Sequence, residues 1–461
     1  MFDVIVIGAG ASGSALFYSI AKYGKFQRIA LVEKHRSPGQ VNSKASNNSQ
    51  TLHVGDIETN YTVEKVRQVY PAAMMVAAYG QSLTDAERNA FLFPMRKMVI
   101  GVGAEETRAL EKRYASLHPL FPGLHLLDRA GIAREEPAVI EGRPADEPIN
   151  ALQSNEGFAV DFERLSEQFV KHGQALRPDA TVLFGDRVVR LARTGSGYAL
   201  HLESRKTLET RALVVDADSY SLLLAKQLGY GKEFSLIPIA GSFYFTKPLL
   251  NGKVYTVQDP KLPFAAVHGD PDVRERDAGT RWGPTARFMP VLEARKRSTA
   301  LDFVRSSGFH RLATWLSFFV ILTDRTRLLY LLENMLYELP VVGRMMFVKN
   351  IRKIAPSVRY TDVHMAEGYG GMRLQRVDTR TRSLLLGEGK IVGDRAIFNM
   401  TPSPGASVCL YNAMRDGRQL AEFLGDASLF DGTAMERDLY VPVERLADGH
   451  GDVGLHGAYA S

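Results

Sequence analysis

Residues 3–7 read DVIVI and run directly into GAGASG, then into the apolar-periodic stretch SALFYSIAKYG. A near-continuous apolar run of this length is a strand buried on both faces, as in a parallel sheet. Gly8, Gly10 and Gly13 form the spacing G-x-G-x-x-G. The first permits a tight turn, the second lets the backbone approach a pyrophosphate, and the third lets helix and strand pack closely. Ala11 and Ser12 open the helix, whose free N–H groups and positive dipole end face the phosphates. RIALVEK supplies the second buried strand and ends in Glu33, 20 residues after Gly13, with Lys34 next. A carboxylate there can accept from both ribose hydroxyls and repels a 2′-phosphate. The glycines alone would also suit a turn in some other α/β fold. Strand, glycine turn, helix, strand and terminal acid together define a dinucleotide site.

This motif does not separate FAD from NAD. Its position at residue 2, and a distant C-terminal segment that rejoins the domain, favour a tightly held FAD. Further buried-strand patterns stand at TVLFGDRVVRLART, which carries Val188 as a cofactor contact, at TRALVVDADSYS, and at KIVGDRAIFNM. Shorter, alternating segments such as FYFT, KVYTV, PFAAVHG and ARFMP read as an antiparallel sheet. The expected fold is α/β: a Rossmann-type FAD-binding domain built from residues 1–90, 151–235 and 360–446. An α+β substrate domain with an antiparallel sheet takes residues 91–150 and 236–359. The glycine-rich tail at 447–461 is expected to be flexible.

The first strand begins at Phe2, which leaves no space for a secretory leader, and no run of about 18 apolar residues predicts a spanning helix. The single cysteine, Cys409, excludes an internal disulfide and suits a reducing compartment. No metal site is expected.

The polar run NSQTLHVGD follows the second strand. Ser49, His53 and Gly55 fit the Ser-x-x-x-His-x-Gly pattern of the D-amino-acid-oxidase-like FAD oxidoreductases, which the chain resembles. More narrowly, NSQTLHVGDIETNYT, RWGPTARFMP and MTPSPGAS are similar to the malate:quinone oxidoreductase family. The resemblance spans most of the chain and is weak over about 295–355. It implies oxidation of (S)-malate to oxaloacetate in the tricarboxylic acid cycle, with electrons passed to a membrane quinone. In such a reaction a hydride moves from C2 to flavin N5 while a base takes the hydroxyl proton, a task suited to histidine. His268 is the preferred base and His53 the alternative, with a hydrogen bond to flavin or substrate as its other role. Either histidine could also simply be satisfied by a backbone carbonyl.

The resemblance also places a substrate-binding arginine in a Gly-x-Arg segment, here Arg373 in GYGGMRLQ, where Gly370 and Gly371 would let the backbone come close to the flavin. Arginine grips a carboxylate bidentately. Malate has two carboxylates, so Arg287 is a candidate second cation. Gln50 and Thr51 are candidate neutral donors, and Asn48, Ser49, Gln50 and Gly371 candidate cofactor contacts. In TPSPGASV, Gly405, Ala406 and Ser407 would offer N–H groups at a helix N-terminus to the charge on a reduced flavin. Asp216 and Asp218 stand where this group usually has small residues, and two acids near a pyrophosphate repel it unless turned away or paired.

The net charge is +6, and residues 291–360 alone carry 12 Lys and Arg against 5 Asp and Glu. The same segment holds TWLSFFVIL and LLYLLENMLYELPVVGRMMFV. Apolar faces edged by basic residues can lie in a bilayer surface. The other reading is core helices with a solvated basic face. No nucleic-acid reader motif is present. The protein is therefore expected to be cytoplasmic and peripheral on the inner face of the membrane. The rival activities are an L-2-hydroxyglutarate oxidase or dehydrogenase and a non-catalytic flavoprotein acting as an assembly partner. The first differs by one methylene, worth about 1–3 kcal/mol in a pocket.

Overall fold

A computed structural model describes residues 1–442 apart from 156, 259–266, 275–278, 338, 340, 386 and 403. The expected tail at 447–461, and residues 263–266 of the PFAAVHG segment, lie outside the described residues.

The apolar runs become a parallel sheet. Its strands lie in the order Gly389–Gly393, Ala396–Met400, Thr207–Val215, Phe2–Ile7, Ile29–Glu33 and Thr181–Phe184. Along this path neighbours are parallel except the edge strand Gly389–Gly393, which pairs antiparallel, and Tyr198–Leu202 and Val188–Arg193 complete the sheet as antiparallel strands beside Thr207–Val215. Ile7 is level with both Val32 and Val215, so Gly8, Lys34 and Asp216 leave the sheet along one edge. That edge is the carboxyl end of the strands, where open α/β sheets bind ligands.

Alternation along the first strand divides the core. Val4 and Val6 pack with Leu31, Leu16 and Phe17 beneath the helix Ala11–Tyr23, and with Phe169 and Leu410 of two further helices. Ile5 and Ile7 face the other way, onto Val32, Leu200 and Leu222. Asp161 starts the helix Phe162–Leu176 by accepting from the N–H groups of Glu163 and Arg164, a typical N-cap.

A second sheet has eight strands. In order they are His364–Met365, Tyr244–Thr246, Thr280–Gly283, His268–Pro271, Lys253–Thr256, Lys97–Val102, Ile149–Ser154 and Leu124–Leu127. It is antiparallel except where Lys253–Thr256 meets Lys97–Val102. A third, four-stranded sheet sets Arg287–Phe288, Phe234–Ala240, Met372–Asp378 and Ser383–Leu385 side by side. Ile149–Ser154 straddles the expected boundary at residue 150, and His364–Met365 joins the antiparallel sheet although it follows residue 360.

Residues 300–354 form four helices: Ala300–Ser307, Leu312–Thr323, Arg325–Leu336 and Val342–Ile354. The second has an inverted face. Thr314, Ser317 and Ile321 are buried, whereas Leu312, Trp315 and Phe319 are 72%, 57% and 68% exposed. In the third, Asn334 is buried with its Oδ1 accepting from Ala286 N, and Leu328, Leu329, Leu332, Met335 and Leu336 are exposed. Among the described residues no helix is long and apolar enough to cross a membrane.

Candidate active site

A cavity of about 1310 Å³ opens along the carboxyl edge of the parallel sheet and extends to the antiparallel sheet. Drug-sized ligands occupy sites of roughly 300–1,000 Å³, so this one suits a longer molecule together with a small one. At one end it is lined by Gly8, Gly10, Ala11, Ser12, Glu33, Lys34 and Val188. At the other it is lined by Asn48, Ser49, Thr51, His53, His268, Gly371, Arg373, Ala406 and Ser407.

The three glycines have separate tasks. A Cβ on Gly13 would lie 1.9 Å from Gly8 O, so Gly13 faces the strand and not the cavity. Gly8 sits at φ +103°, where a Cβ would lie 2.4 Å from Asp216 O. A Cβ on Gly10 would meet nothing nearer than Ser43 Oγ at 3.3 Å, so its surface is open towards the cavity. Glu33 accepts from Ala9 N at 2.7 Å and His35 N at 2.8 Å, which fixes the carboxylate beside the glycine turn. Lys34 pairs with Glu293 at 2.5 Å and lies 3.8 Å over the Tyr220 ring. An open glycine, a helix N-terminus and an immobilised acid fit a dinucleotide.

The two acids that looked out of place are paired. Asn399 Nδ2 donates to Asp216 Oδ1 at 2.9 Å and to Asp416 Oδ2 at 2.6 Å, and Lys390 sits 2.5 Å from Asp416. Burial, with Asp416 close by, raises the Asp216 carboxyl. Asp218 accepts from Asn42 Nδ2 at 2.6 Å, and burial pushes its carboxyl up to about 6. Its backbone stands at φ +46°, a region that favours glycine.

The polar run threads between the sheets. Asn48 ties it down, donating to Asn42 O and Lys44 O. Ser49 O accepts from Lys253 Nζ at 2.5 Å and Arg281 Nη2 at 3.2 Å. Thr51 Oγ1 bonds Lys253 Nζ at 2.8 Å and Tyr255 OH at 2.8 Å. Burial pulls Lys253 down to about 8. His53 Nδ1 lies 2.9 Å from Glu58 Oε1, and both line the cavity. His268 is fully buried, its ring 4.8 Å from that of Tyr255 and its Nε2 3.6 Å from Asp270 Oδ1.

Arg373 enters the cavity from the strand Met372–Asp378. Burial lowers its guanidinium, while Tyr330 and Tyr61 act in the opposite direction. Lys65, Arg67 and Arg415 line the same cavity.

Several expected contacts fall elsewhere. Gln50 has φ +53°, which turns it out of the cavity; its side chain donates to Ala45 O and accepts from Val273 N. Arg287 pairs with Ala240 at the edge of the four-stranded sheet and does not line the cavity. Gly371 lines the cavity, but the close approaches that require Gly370 and Gly371 are to protein backbone, at Gly241 O and Asn47 O. Gly405 N and Ser407 N close turns onto Pro402 O and Pro404 O, and the helix begins only at Cys409. Ser407 instead accepts from His53 N through its Oγ at 3.0 Å. Sequence reasoning missed Glu58, Tyr61, Lys65, Tyr255 and Arg415. Glu58, five residues after His53, carried the one local signal.

The architecture is shared with FAD-dependent oxidases. Glycine oxidase from Geobacillus kaustophilus superposes with a TM-score of 0.62 at 16% identity, covering 94% of this chain and 97% of that one. L-alpha-glycerophosphate oxidase from Mycoplasma pneumoniae, with FAD bound, gives 0.61 at 16% identity over 92% and 94%. The chain belongs to the malate:quinone oxidoreductase family, whose model, described as Malate:quinone oxidoreductase (Mqo), matches residues 1–416. It is 41% identical over 434 residues to a probable malate:quinone oxidoreductase from Campylobacter jejuni, covering 92% of this chain and 96% of that protein. It is 40% identical over 443 residues to a malate:quinone oxidoreductase from Helicobacter pylori, covering 92% and 95%.

Proposed function

We propose that the protein oxidises (S)-malate to oxaloacetate on an FAD held in this cavity and passes the electrons to a quinone drawn from the membrane. The observation that carries this reading is the convergence of Arg373, His53 and His268 on one cavity that also contains the glycine turn and Glu33.

Gly8, Gly10, Ala11 and Ser12 would hold the pyrophosphate, and Glu33 the ribose. When bound, the isoalloxazine supplies a two-electron acceptor. Arg373 binds the carboxylate next to the reacting carbon and so points the C2–H bond in a fixed direction. Lys65 and Arg415, near enough to Glu388 to stabilise its charge, meet the second carboxylate in place of Arg287. A cavity histidine removes the hydroxyl proton. Malate carries two negative charges, and Arg373, Lys65, Arg67 and Arg415 in the cavity lining offer it charged partners that a neutral alcohol could not use.

The exposed apolar residues of Leu312–Thr323 and Arg325–Leu336 form the membrane-facing surface, placed on the cytoplasmic side. Exposed apolar patches of this kind mark an interaction site. Ile321, on the buried side of the first of these helices, packs with Ile239 and Ala286, and the latter two also line the cavity. One apolar layer therefore separates the proposed docking face from the site. The test is malate-dependent reduction of a water-soluble quinone by purified protein without NAD. Reduction with 2-hydroxyglutarate alone, or with neither acid, would overturn the assignment.

A further inference from the structure

The chain from His53 to Glu58 folds back on itself. Gly55 stands at φ +96°, and its N–H donates to Glu58 Oε2 at 2.9 Å. The other carboxylate oxygen meets His53 Nδ1 at 2.9 Å, and His53 N donates to Ser407 Oγ at 3.0 Å. Backbone and ring are thus held from different directions, and both side chains line the cavity alongside Arg373 and Tyr61. A carboxylate on Nδ1 keeps the proton on that nitrogen, leaves the Nε2 lone pair basic, and stabilises the imidazolium once formed.

His268 has a different setting. Its nearest carboxylate, Asp270, already pairs with Arg281 at 2.7 Å and Lys253 at 3.0 Å. With Asp272 3.9 Å from Arg281, the two cations there are already matched by two carboxylates, so a proton gained on His268 would leave an unmatched positive charge in a fully buried group, at a desolvation cost.

We propose that His53 takes the hydroxyl proton of the substrate at Nε2, and that Glu58 is the positioning residue that sets its tautomer and stabilises its protonated form. This rests on the malate-oxidising reading above. The substrate O–H bond breaks and its proton goes to His53. The electron pair left on oxygen becomes the carbonyl π bond, and the C2–H pair leaves as hydride to the bound two-electron acceptor. Malate is oxidised by two electrons, and the acceptor is reduced by two.

Other charges act on this pair. Lys97, 2.7 Å from Asp56, acts on Glu58, and Arg113 feels both Glu58 and Asp56. Tyr61 and Tyr255 also feel the Glu58 charge. Burial raises the Glu58 carboxyl, but the His53 hydrogen bond and the Lys97 and His53 charges outweigh it and hold it below the usual carboxylate range. Glu58 is therefore held as the anionic partner of His53 Nδ1.

The experiment uses the flavin-loaded protein and the variants Glu58→Gln, Glu58→Asp, His53→Gln and His268→Gln. Histidine hydrogen–deuterium exchange, read by mass spectrometry, reports the imidazole pKa of His53 without turnover. The pH profile of flavin reduction by malate reports the base. Glu58→Gln should lower the His53 pKa, move the acidic limb to lower pH, and slow reduction by about 10- to 100-fold with little change in KM. Glu58→Asp should recover part of the loss even if the glutamine variant folds poorly. His53→Gln should remove the limb. An unchanged His53 exchange profile in both Glu58 variants, or loss of the limb in His268→Gln and not in His53→Gln, overturns the proposal. Absence of any reduction by malate in the unsubstituted protein would defeat the malate reading alone, because exchange still reports the His53–Glu58 pairing.

Discussion

Asn42 and Asp218 join at 2.6 Å, with the amide of Asn42 donating to the carboxylate. The same amide's oxygen accepts from Met372 N at 3.0 Å, so Asn42 links the exit of a parallel strand to the segment that presents Arg373. Asp218 holds this link under two burdens: a left-handed backbone and a carboxyl that burial pushes up to about 6. The unfolded value is about 3.9. A raised folded value means that stability is fully present below about 3.9 and is lost as pH rises through about 6. Asp218→Asn keeps an acceptor for Asn42 and removes the ionisation. It should stabilise the protein by about 1–2 kcal/mol at about pH 8 and by little at about pH 4, read from thermal midpoints.

Gly10 and Gly13 should respond differently to alanine. At Gly13 the added methyl would collide with Gly8 O at 1.9 Å, and both partners are backbone. Gly13→Ala should yield protein that is unfolded or insoluble. At Gly10 the methyl meets only the movable Ser43 Oγ, at 3.3 Å, and a bound pyrophosphate. Gly10→Ala should keep the thermal midpoint of the flavin-free protein and lose flavin on gel filtration.

How far the chain could be read by eye depended on whether a side chain's direction follows from local pattern. Gly8, Gly10, Gly13 and Glu33 form one supersecondary unit, so spacing placed them. Arg373 and both histidines reached the cavity because their segments carry family-specific neighbours. Gln50 did not, since one positive φ reverses its side chain and nothing in NSQT announces it. Arg287 lay three residues past Pro284, which does line the cavity, and the strand register carried it out. The third sheet was invisible because its pairs join residues 234–240 to 372–378, a separation no window covers. The inverted faces at 312–336 were legible as composition and charge, but not as orientation.

The second carboxylate of malate supplies a test of Lys65 and Arg415. Replacing both with methionine should raise the malate KM by about 30-fold or more, corresponding to about 2 kcal/mol or more for truncating charged partners. A 2-hydroxy monocarboxylate should be affected far less. Equal losses for both acids would place these residues outside the substrate's reach.

The docking face predicts a salt-dependent association. Phe319→Asp combined with Leu329→Asp puts two charges on the most exposed apolar surface, at residues 68% and 54% exposed. Sedimentation with anionic vesicles should fall by about tenfold or more, since each charge buried near lipid costs over 1 kcal/mol. Flavin content should not change. The unsubstituted protein should bind less at high salt.

The most direct measurement mixes the purified yellow protein with malate in the absence of oxygen and follows the flavin band. Rapid bleaching is expected, with Arg373→Lys bleaching at a kcat/KM lower by about 30- to 1,000-fold, the cost of losing a bidentate buried contact of about 2–4 kcal/mol. A colourless protein, or a yellow one that malate leaves unbleached, would contradict the account.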